Sequence, residues 1–381
     1  MVAFILGYWY IKYVKWHIQE TTCLYSVFHI SKHQEVRQMA VSEKVELIKF
    51  NEEQYLKEGD AVYAQRAEVE AIADTIDKEG YSNIFLLGIG GTEFEFAQFD
   101  YLVKKYSDIE LYAINAADAN TVHPKNLTKD SLVITASASG TTVEIVEALE
   151  WIQKTGAHIV GFTKKDCPVG RLCTTVIEAK VTTGQCEYSY VLQSFLIYSL
   201  LNKKGFFPNY TKFADQIKTI FKNLVDIRKV YEPKADEIAK TFYNKPYTIF
   251  TGSGALWGET LLFAMCILEE MQWVRTRPVT SAQFFHGTLE LVEKDVPVFI
   301  VKGEDEFRKQ DTRVEDFCKK INAEYTVLDT QEFALDVDPE FRPFVIPWIA
   351  TALLTERLAK HYEVYTKHNL EYRRYYHQFD Y

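Results

Sequence analysis

The stretch VITASASGTTVEIVEAL, residues 133–149, decides the fold. Its apolar run stops at small hydroxyl residues around Gly140, and apolar residues then recur at the spacing of an amphipathic helix. The pattern predicts a buried strand, a tight turn and a helix that begins among hydroxyl side chains. These hydroxyl residues are Ser137, Ser139, Thr141 and Thr142.

The start of that predicted helix is a candidate binding site for a phosphate group. Backbone amides at a helix N-terminus lack intrahelical partners, and the helix dipole favours a negative charge there. Ser137, Ser139 and Thr142 can add side-chain donors. Gly140 lets the backbone approach a ligand closely. The alternative is a set of N-capping hydroxyls without a ligand. One hydroxyl is enough for a cap, and parallel sheets bind ligands at the carboxyl ends of their strands, so the cluster favours phosphate.

Strand-like apolar runs alternate with helical patterns along the rest of the chain. In the first half they are NIFLLG, ELYAINA, SLVITAS, HIVGFTK and TTVIEAK, and in the second half YTIFTG, VPVFIV and EYTVLDT. The two halves begin alike, because both place glycines directly after the first strand, at 88 and 90 and again at 252 and 254. We therefore predict an α/β fold of two tandem, related units, each a parallel sheet flanked by helices.

The order of these patterns also predicts the domain organisation. We expect residues 1–38 to be an N-terminal extension outside the fold, 39–207 the first domain with an entry helix at about 52–78, 208–365 the second domain with connecting helices, and 366–381 a C-terminal tail that docks on the fold. The N-terminus is apolar and aromatic, but Lys12 and Lys15 interrupt it before it reaches the length of a membrane span. We therefore expect no membrane association, with an N-terminal anchor as the alternative.

A second glycine-containing loop, GIGGT, follows the first predicted strand. Its glycines at 88, 90 and 91 are followed by Thr92 at the start of a helix. It is not a dinucleotide-binding fingerprint, because Glu93 stands where the third glycine would be needed. The chain also has no G-x-x-x-x-G-K-[ST] phosphate loop. What remains is a strand, a tight turn and a helix start that carries a hydroxyl.

Composition narrows the classes of partner and compartment. The 381 residues carry a formal net charge of -10, which argues against nucleic acid because phosphate backbones are bound by clustered Lys and Arg. A phosphorylated small molecule stays possible, since a local pocket can oppose the net charge. The six cysteines are scattered without a C-x-x-C pair, as in a cytoplasmic protein with reduced thiols. No group of residues has metal-ligand spacing, so we expect neither a metal nor an organic cofactor.

The second half contributes a possible acid–base pair. Glu270 ends an apolar helical pattern, and His286 follows sixteen residues later, directly before Gly287. Taken alone, Glu270 could be a solvated helix end and His286 a core or capping histidine. Acidic and basic residues often occur together by chance, so composition by itself favours these structural roles.

Together, these motifs resemble the sugar isomerase (SIS) family of phosphosugar-binding proteins. The family grips the sugar phosphate with a strand-loop-helix of the form S-x-S-G-x-T, which matches residues 137–142 here. Its G-x-G-x-S loop matches residues 88–92, with Thr92 in place of the serine. Its members also carry a Glu sixteen residues before the His of an E-[LF]-x-H-G-P motif, and Glu270 and His286 keep that spacing. The resemblance covers nearly all of residues 50–381.

The resemblance implies a role for each matched residue. Glu270 and His286 would be catalytic. The substrate phosphate would be held by Thr92, Ser137, Ser139, Gly140 and Thr142. Family resemblance also implies that the loop of His286 enters the site of a neighbouring subunit, so that the protein would act as a homodimer or a higher homo-oligomer.

Further details favour one branch of the family. The C-terminal stretch HNLEYRRYYHQFDY is similar to the tail of fructosamine-6-phosphate deglycases. The substrate lysine of the related glucosamine-6-phosphate synthase is absent, because Ile267 stands at the matching position. Two residues depart from the family motif, with Gln283 in place of its Glu and Thr288 in place of its Pro. These departures leave open which substrate is preferred.

The activity implied by this resemblance is that of a deglycase. A ketosamine 6-phosphate would be hydrolysed through an enaminol to glucose 6-phosphate and a free amine or amino acid. One alternative is a phosphosugar aldose–ketose or amino-sugar isomerase, which would use the same base and the same phosphate site. Another is a non-catalytic phosphosugar-binding module. The absence of a basic helix-turn-helix segment and the presence of both Glu270 and His286 disfavour it.

Overall fold

Two parallel β-sheets form the framework of the protein in a computed structural model that describes residues 45–379. The first sheet has the order β2-β1-β3-β4-β5. Its strands are β1 (Asn83–Gly88), β2 (Leu111–Asn115), β3 (Ser131–Ala136), β4 (His158–Phe162) and β5 (Thr175–Ile177). The second sheet has the order β7-β6-β8-β9. Its strands are β6 (Thr248–Gly252), β7 (Thr276–Thr280), β8 (Val298–Lys302) and β9 (Tyr325–Asp329).

Helices connect the strands in both halves. The first half contains α1 (Glu52–Ala64), α2 (Arg66–Glu79), α3 (Gly91–Tyr106), α4 (Ala116–Val122), α5 (Val143–Thr155), α6 (Pro168–Leu172) and α7 (Cys186–Lys203). The connection and second half contain α8 (Tyr210–Gln216), α9 (Ile220–Phe242), α10 (Trp257–Leu261), a π-helix (Leu262–Met271), α11 (Ser281–Phe284), α12 (Arg308–Ile321), α13 (Ile346–Leu353), a second π-helix (Leu354–Leu358) and α14 (Ala359–Thr366). Short 3₁₀ turns lie at Ile217–Thr219, Gly254–Leu256, Thr288–Leu291, Thr330–Glu332 and Pro339–Phe344.

The innermost strands explain why the apolar runs are continuous rather than alternating. Every residue of β1 and β3 is buried, as expected for parallel strands covered by helices on both faces. They pair in register, with Phe85 opposite Val133 and Leu87 opposite Thr135. Because both strands run in the same direction, their carboxyl ends bring the loops at 88–92 and 137–142 to the same edge of the sheet.

One apolar core lies between the two sheets. It includes Leu86 of β1 and Phe250 of β6, together with Phe195 of α7 and Trp348 of α13. α7 is buried along almost its whole length, which explains why apolar residues occur on all sides of this helix. The α/β class, the two parallel sheets and the internal repeat are confirmed, since the order β2-β1-β3-β4 in the first sheet corresponds to the order β7-β6-β8-β9 in the second.

The structure differs from the prediction at two places. The single entry helix is two helices, because the chain turns at Gln65, whose side chain donates to the Glu178 carbonyl at 2.9 Å. β7 was not predicted at all, since Pro278 interrupts a stretch of only five residues. β7 lies at the edge of its sheet, where a residue without an N–H is tolerated.

The extension predicted at residues 1–38 lies outside the described residues, and the domain boundaries at 207/208 and 365/366 stay predictions. No helix within residues 45–379 is long and apolar enough to cross a membrane.

Candidate functional site

The loop after β3 is shaped by its own hydroxyl and glycine residues. Ser137 is buried, and its Oγ lies 3.0 Å from the Thr142 Oγ1 and accepts a hydrogen bond from the Gly140 amide at 3.0 Å. Gly140 has a φ of +68°, and a Cβ there would lie 2.3 Å from the Cys167 sulfur. This position therefore requires glycine, which explains the small residue inside the hydroxyl cluster.

The helix that follows this loop has an N-terminus without a side-chain cap. Thr142 is the N-cap residue of α5, but its side chain makes no capping hydrogen bond. Ser139 is exposed and accepts only from the Thr141 amide, at 3.2 Å. The simple capping role considered for these hydroxyls is therefore absent, and the first-turn amides of α5 remain without a side-chain acceptor. An anion is the natural partner for such a helix start.

The glycine loop after β1 lies at the same sheet edge. Gly90 has a φ of +57° and open space where a Cβ would point. The Thr92 hydroxyl donates to the Ile89 carbonyl at 3.1 Å and accepts from the Ile89 amide at 3.2 Å. Thr92 thus closes the turn that brings the chain from β1 into α3, and its oxygen keeps one lone pair for a further donor.

A cavity of about 520 Å³ lies in front of these two loops, and we call it the phosphate cavity. It is lined by Thr92, Ser137 and Ala138, while Ser139, Gly140 and Thr142 are not among its lining residues. Lys164, at the end of β4, also lines it and supplies a positive charge. Sequence reasoning missed Lys164, although the rule that ligands bind at the carboxyl ends of parallel strands also applies to β4.

One wall of the phosphate cavity is held by a buried carboxylate. Glu58 of α1 accepts from the Thr182 amide at 2.7 Å and from the Thr182 hydroxyl at 2.6 Å, and it also accepts from Thr183. Burial alone would raise the pKa of the Glu58 carboxyl, but these hydrogen bonds lower it to about 2. The 182–183 segment that lines the cavity is therefore held from outside the sheet.

The floor of the phosphate cavity contains a second carboxyl group. Glu95 lies one helical turn after Thr92 on α3, lines the cavity and is only 8% exposed. Its Oε1 accepts from Gln193 and from the Ser189 hydroxyl, the latter at 3.2 Å. Burial raises the pKa of Glu95 to about 7, because hydrogen bonds from Gln193 and Ser189 only partly compensate the lost hydration.

Glu270 lies near the end of the first π-helix, in a different cavity. This cavity, which we call the tail cavity, has a volume of about 700 Å³. Its lining residues are Glu269, Glu270, Trp273, Val274, Arg275, Thr276, Arg373, Arg374, Tyr375 and Tyr376. Burial raises the pKa of the Glu270 carboxyl, and the Arg373 guanidinium opposes this shift. Glu270 is therefore neither a solvated helix end nor a fully buried acid.

The C-terminal tail docks on the fold, as predicted, and the structure places this contact at Glu270. The Arg373 Nε donates to the Glu270 Oε1 at 2.9 Å, and its Nη1 donates to the Leu370 carbonyl at 2.6 Å. Leu370 itself is buried in the core. Arg374 follows, with its guanidinium 4.2 Å from the centre of the Trp273 ring. This contact explains the aromatic and basic composition of the tail.

The phosphate cavity and the tail cavity share no lining residue, but one loop touches both regions. Thr92 lines the phosphate cavity. A Cβ at the adjacent Gly91 would lie 3.9 Å from the sulfur of Cys266, one turn before Glu270 on the same helical segment. The glycine loop thus lines the phosphate cavity at Thr92 and lies close to the helical segment that carries the candidate base.

His286 lines neither cavity. It is exposed in the turn between α11 and the 3₁₀ turn at Thr288–Leu291, and its amide donates to the Gln283 carbonyl at 2.9 Å. Gln283 is exposed beside it, whereas Thr288 is buried. The single chain therefore groups Thr92 with Ser137, and Glu270 with the tail, while His286 projects from the surface.

The class of protein follows from comparison with known families. Residues 80–203, which contain β1, β3 and both loops of the phosphate cavity, match the family model of the SIS domain. The chain therefore contains an SIS domain, and the recognition made from the loop motifs is confirmed.

Two bacterial deglycases are similar in sequence to most of the chain, and one solved structure has the same fold. The chain is 27% identical over 321 residues to fructosamine deglycase FrlB of Bacillus subtilis, covering 81% of this chain and 95% of that protein. It is 26% identical over 313 residues to fructoselysine 6-phosphate deglycase of Escherichia coli, covering 81% and 89%. The C-terminal domain of glucosamine-fructose-6-phosphate aminotransferase from Francisella tularensis has the same fold, with a TM-score of 0.65 at 17% identity over 83% of this chain and 96% of that one.

Proposed function

We propose that the protein is a ketosamine 6-phosphate deglycase, which hydrolyses a phosphorylated sugar-amine to glucose 6-phosphate and a free amine or amino acid. The observation that carries the proposal is the sheet edge at which two loops meet. Thr92 and Ser137 line the phosphate cavity there, and the loop of Ser137 leads into the start of α5, which has no side-chain cap. The similarity to fructosamine and fructoselysine 6-phosphate deglycases over most of the chain supports this reaction rather than another phosphosugar reaction.

The first role of the site is to bind the phosphate. The amides of the first turn of α5 and the hydroxyls of Ser137, Ser139 and Thr142 would donate to its oxygens. The Thr92 hydroxyl would join them by turning its proton from the Ile89 carbonyl to the phosphate. Lys164 adds a positive charge at the cavity wall. Because the phosphate is remote from the reacting carbons, its binding energy can be used to orient them and to reduce the entropic barrier.

The sugar would then extend past the glycine loop, with its C1 end towards Glu270. Glu270 would remove a proton from C1 of the open-chain ketosamine, giving an enaminol, and return a proton to C2. One carboxylate can serve both neighbouring carbons within hydrogen-bond reach. In this conversion the nitrogen loses its proton and the C2 oxygen gains one, which leaves an imine at C1 and a hydroxyl at C2. Water then adds to the imine and the C1–N bond breaks. Both hydrogens of that water leave on the amine, and its oxygen becomes that of the C1 aldehyde.

Arg373 and His286 would assist this base in different ways. Arg373 favours the ionised form of Glu270, which a base requires, against the effect of burial. His286 would promote opening of the sugar ring. Because His286 is exposed and lines neither cavity, we propose that it acts in the site of a neighbouring subunit of a homo-oligomer. The reaction needs no cofactor, and its phosphorylated substrate suits a cytoplasmic enzyme.

The test is an enzyme-coupled assay on the full chain. We expect fructoselysine 6-phosphate to yield glucose 6-phosphate, detected through its dehydrogenase. We expect Glu270→Gln to lower kcat by at least about a thousandfold, since an amide cannot accept the C1 proton, while fructose 6-phosphate still binds. Glu269→Gln is the matched control, because Glu269 instead accepts from the Thr276 hydroxyl at 2.5 Å.

Each outcome of these experiments tests a different part of the proposal. An active Glu270→Gln variant would show that Glu270 is not the base. Binding of fructose 6-phosphate without release of glucose 6-phosphate from any ketosamine would favour the isomerase alternative. Failure to bind any sugar phosphate would refute the assignment of the loop at 137–142.

A further inference from the structure

We propose that the tail cavity binds the carboxylate of an amino acid joined to the sugar through its amine, with Arg275 and Arg374 as its ligands. The amino acid part of the proposed substrate would be recognised there by its charge. This inference rests on the proposed deglycase function and assigns specificity-determining residues to the same site.

The charge of the tail cavity is the first observation. The whole chain has a net charge of -10, yet three arginines line this cavity against two glutamates. Glu270 is paired with Arg373, and Glu269 accepts from Thr276. The cavity therefore has one more positive than negative charge, in contrast to the acidic chain around it.

The second observation is that two of these arginines have no carboxylate partner within residues 45–379. Arg275 is exposed just before β7, and its side chain makes no hydrogen bond or ion pair there. The guanidinium of Arg374 stacks over Trp273 with 4.2 Å between the charge centre and the ring centroid, and it too lacks an acceptor in the described part of the chain. A stacked guanidinium still has its N–H edge available, and that edge matches the two oxygens of a carboxylate.

The position of the base explains why the amino acid would enter this cavity. Glu270 would act at C1, and the amine nitrogen is bonded directly to C1. Because Glu270 lines the tail cavity, the substituent on that nitrogen extends into it. Trp273, Tyr375 and Tyr376 offer apolar surface for the carbon chain of an amino acid. A volume of about 700 Å³ is ample for this part of a ligand.

The experiment compares substrates that differ only in the carboxylate. Steady-state kinetics of the full-length protein are measured with the ketosamine 6-phosphates of glycine and methylamine, and with those of ε-linked lysine and cadaverine. We expect the carboxylated member of at least one pair to have a KM about ten- to hundredfold lower, since hydrogen bonds to a charged group are worth that much.

Substitutions of the two arginines test whether they cause the lower KM of the carboxylated substrates. Arg275→Ala and Arg374→Ala should each raise KM for the carboxylated substrate towards the KM of the matching substrate without a carboxylate. KM for the substrate without a carboxylate should stay unchanged. Arg277→Ala is the matched control, because Arg277 is an exposed arginine two residues from Arg275 that does not line the cavity. Arg275→Ala removes no hydrogen bond or ion pair within the described chain, so a change in its KM cannot be attributed to lost structure.

The outcomes separate this inference from the proposed function. Equal KM values within both pairs, or an equal rise in KM for both members of a pair in Arg275→Ala, would overturn the carboxylate site while leaving the deglycase in place. Absence of turnover with all four substrates would instead refute the deglycase reaction, and the carboxylate site with it.

Discussion

The loops that follow β3 and β8 occupy equivalent positions in the two sheets but have opposite chemistry. The loop after β3 consists of small hydroxyl residues and Gly140, whereas the loop after β8 has the sequence GEDEF at 303–307. Asp305 accepts from the Ala255 amide at 3.1 Å and from the Phe307 amide at 2.9 Å. In the second half, therefore, a carboxylate of the protein occupies the place that a ligand phosphate would take in the first.

The glycine turns that face these loops differ in the same way. Gly90 and Gly254 have similar positive φ values, +57° and +55°. A Cβ at Gly90 would meet nothing within 4 Å, whereas one at Gly254 would lie 2.3 Å from the Asp305 Oδ2. The same topology thus gives one open loop, where we propose that the phosphate binds, and one loop that the chain fills itself. This difference explains why we place the substrate phosphate only in the first half.

The largest effect is expected from giving the first loop the charge of the second. Ser139→Asp places a carboxylate on the exposed part of the phosphate loop, where it would repel a phosphate. We expect the dissociation constant of fructose 6-phosphate, measured by calorimetry, to rise at least about a hundredfold, because like charges brought together cost several kcal/mol.

Ser139→Asn is the control, because an asparagine side chain has nearly the same shape as that of aspartate but carries no charge. It should change the dissociation constant less than about tenfold, the value of one lost neutral hydrogen bond. Unchanged affinity in Ser139→Asp would show that phosphate does not bind at this loop.

Removing the carboxylate from the second loop should have a smaller effect, and this effect concerns stability. Asp305→Ala leaves the Ala255 and Phe307 amides without their acceptor, and we expect the free energy of unfolding to fall by about 2 kcal/mol. Urea denaturation measures this change, while KM should stay the same because our proposal places no substrate contact at the second loop. A raised KM would contradict the division of roles between the two loops.

Glu306→Gln is the control for this substitution. Glu306 forms an ion pair with Lys105 at the surface, where its side chain is 54% exposed. Since exposed pairs contribute about 0–1 kcal/mol, the loss of stability should be clearly smaller than for Asp305→Ala.

The smallest effect concerns the wall that keeps the first site open. The pKa of Glu58 is about 2 in the folded protein, below its ordinary value of about 4.3. The Glu58 carboxylate therefore stabilises the fold above pH 4.3, and this contribution is lost as the pH falls from about 4.3 to about 2. We expect the loss to be about 1–2 kcal/mol, since solvent in the adjacent cavity screens the group.

Urea denaturation between pH 2 and 7 tests this expectation. Glu58→Gln should be less stable than the original protein at pH 7 and should lack this part of the acid dependence. Glu53→Gln, at an exposed position on the same helix, should retain it. Identical pH profiles for the original protein and Glu58→Gln would contradict the role of Glu58 in holding Thr182 and Thr183.

The sequence by itself determined the alternation of strands and helices, the repeat of the two halves and the loops at 88–92 and 137–142. These features depend on local spacing, because a buried parallel strand needs a continuous apolar run and a tight turn needs glycine. The one missed strand, β7, failed this local test because it is short and contains Pro278. The roles of the site residues stay predictions, although their loops lie where the pattern placed them.

Only the tertiary structure decided which of these residues meet. Arg373 pairs with Glu270 across 103 positions of sequence, and Asp305 reaches Ala255 across 50. The tertiary structure also places Glu270 in a different cavity from Ser137 and leaves His286 at the surface. The physical reason is that hydrogen bonds and ion pairs depend on distance in space, which the packing of the two sheets sets, whereas a sequence pattern records only the order along the chain.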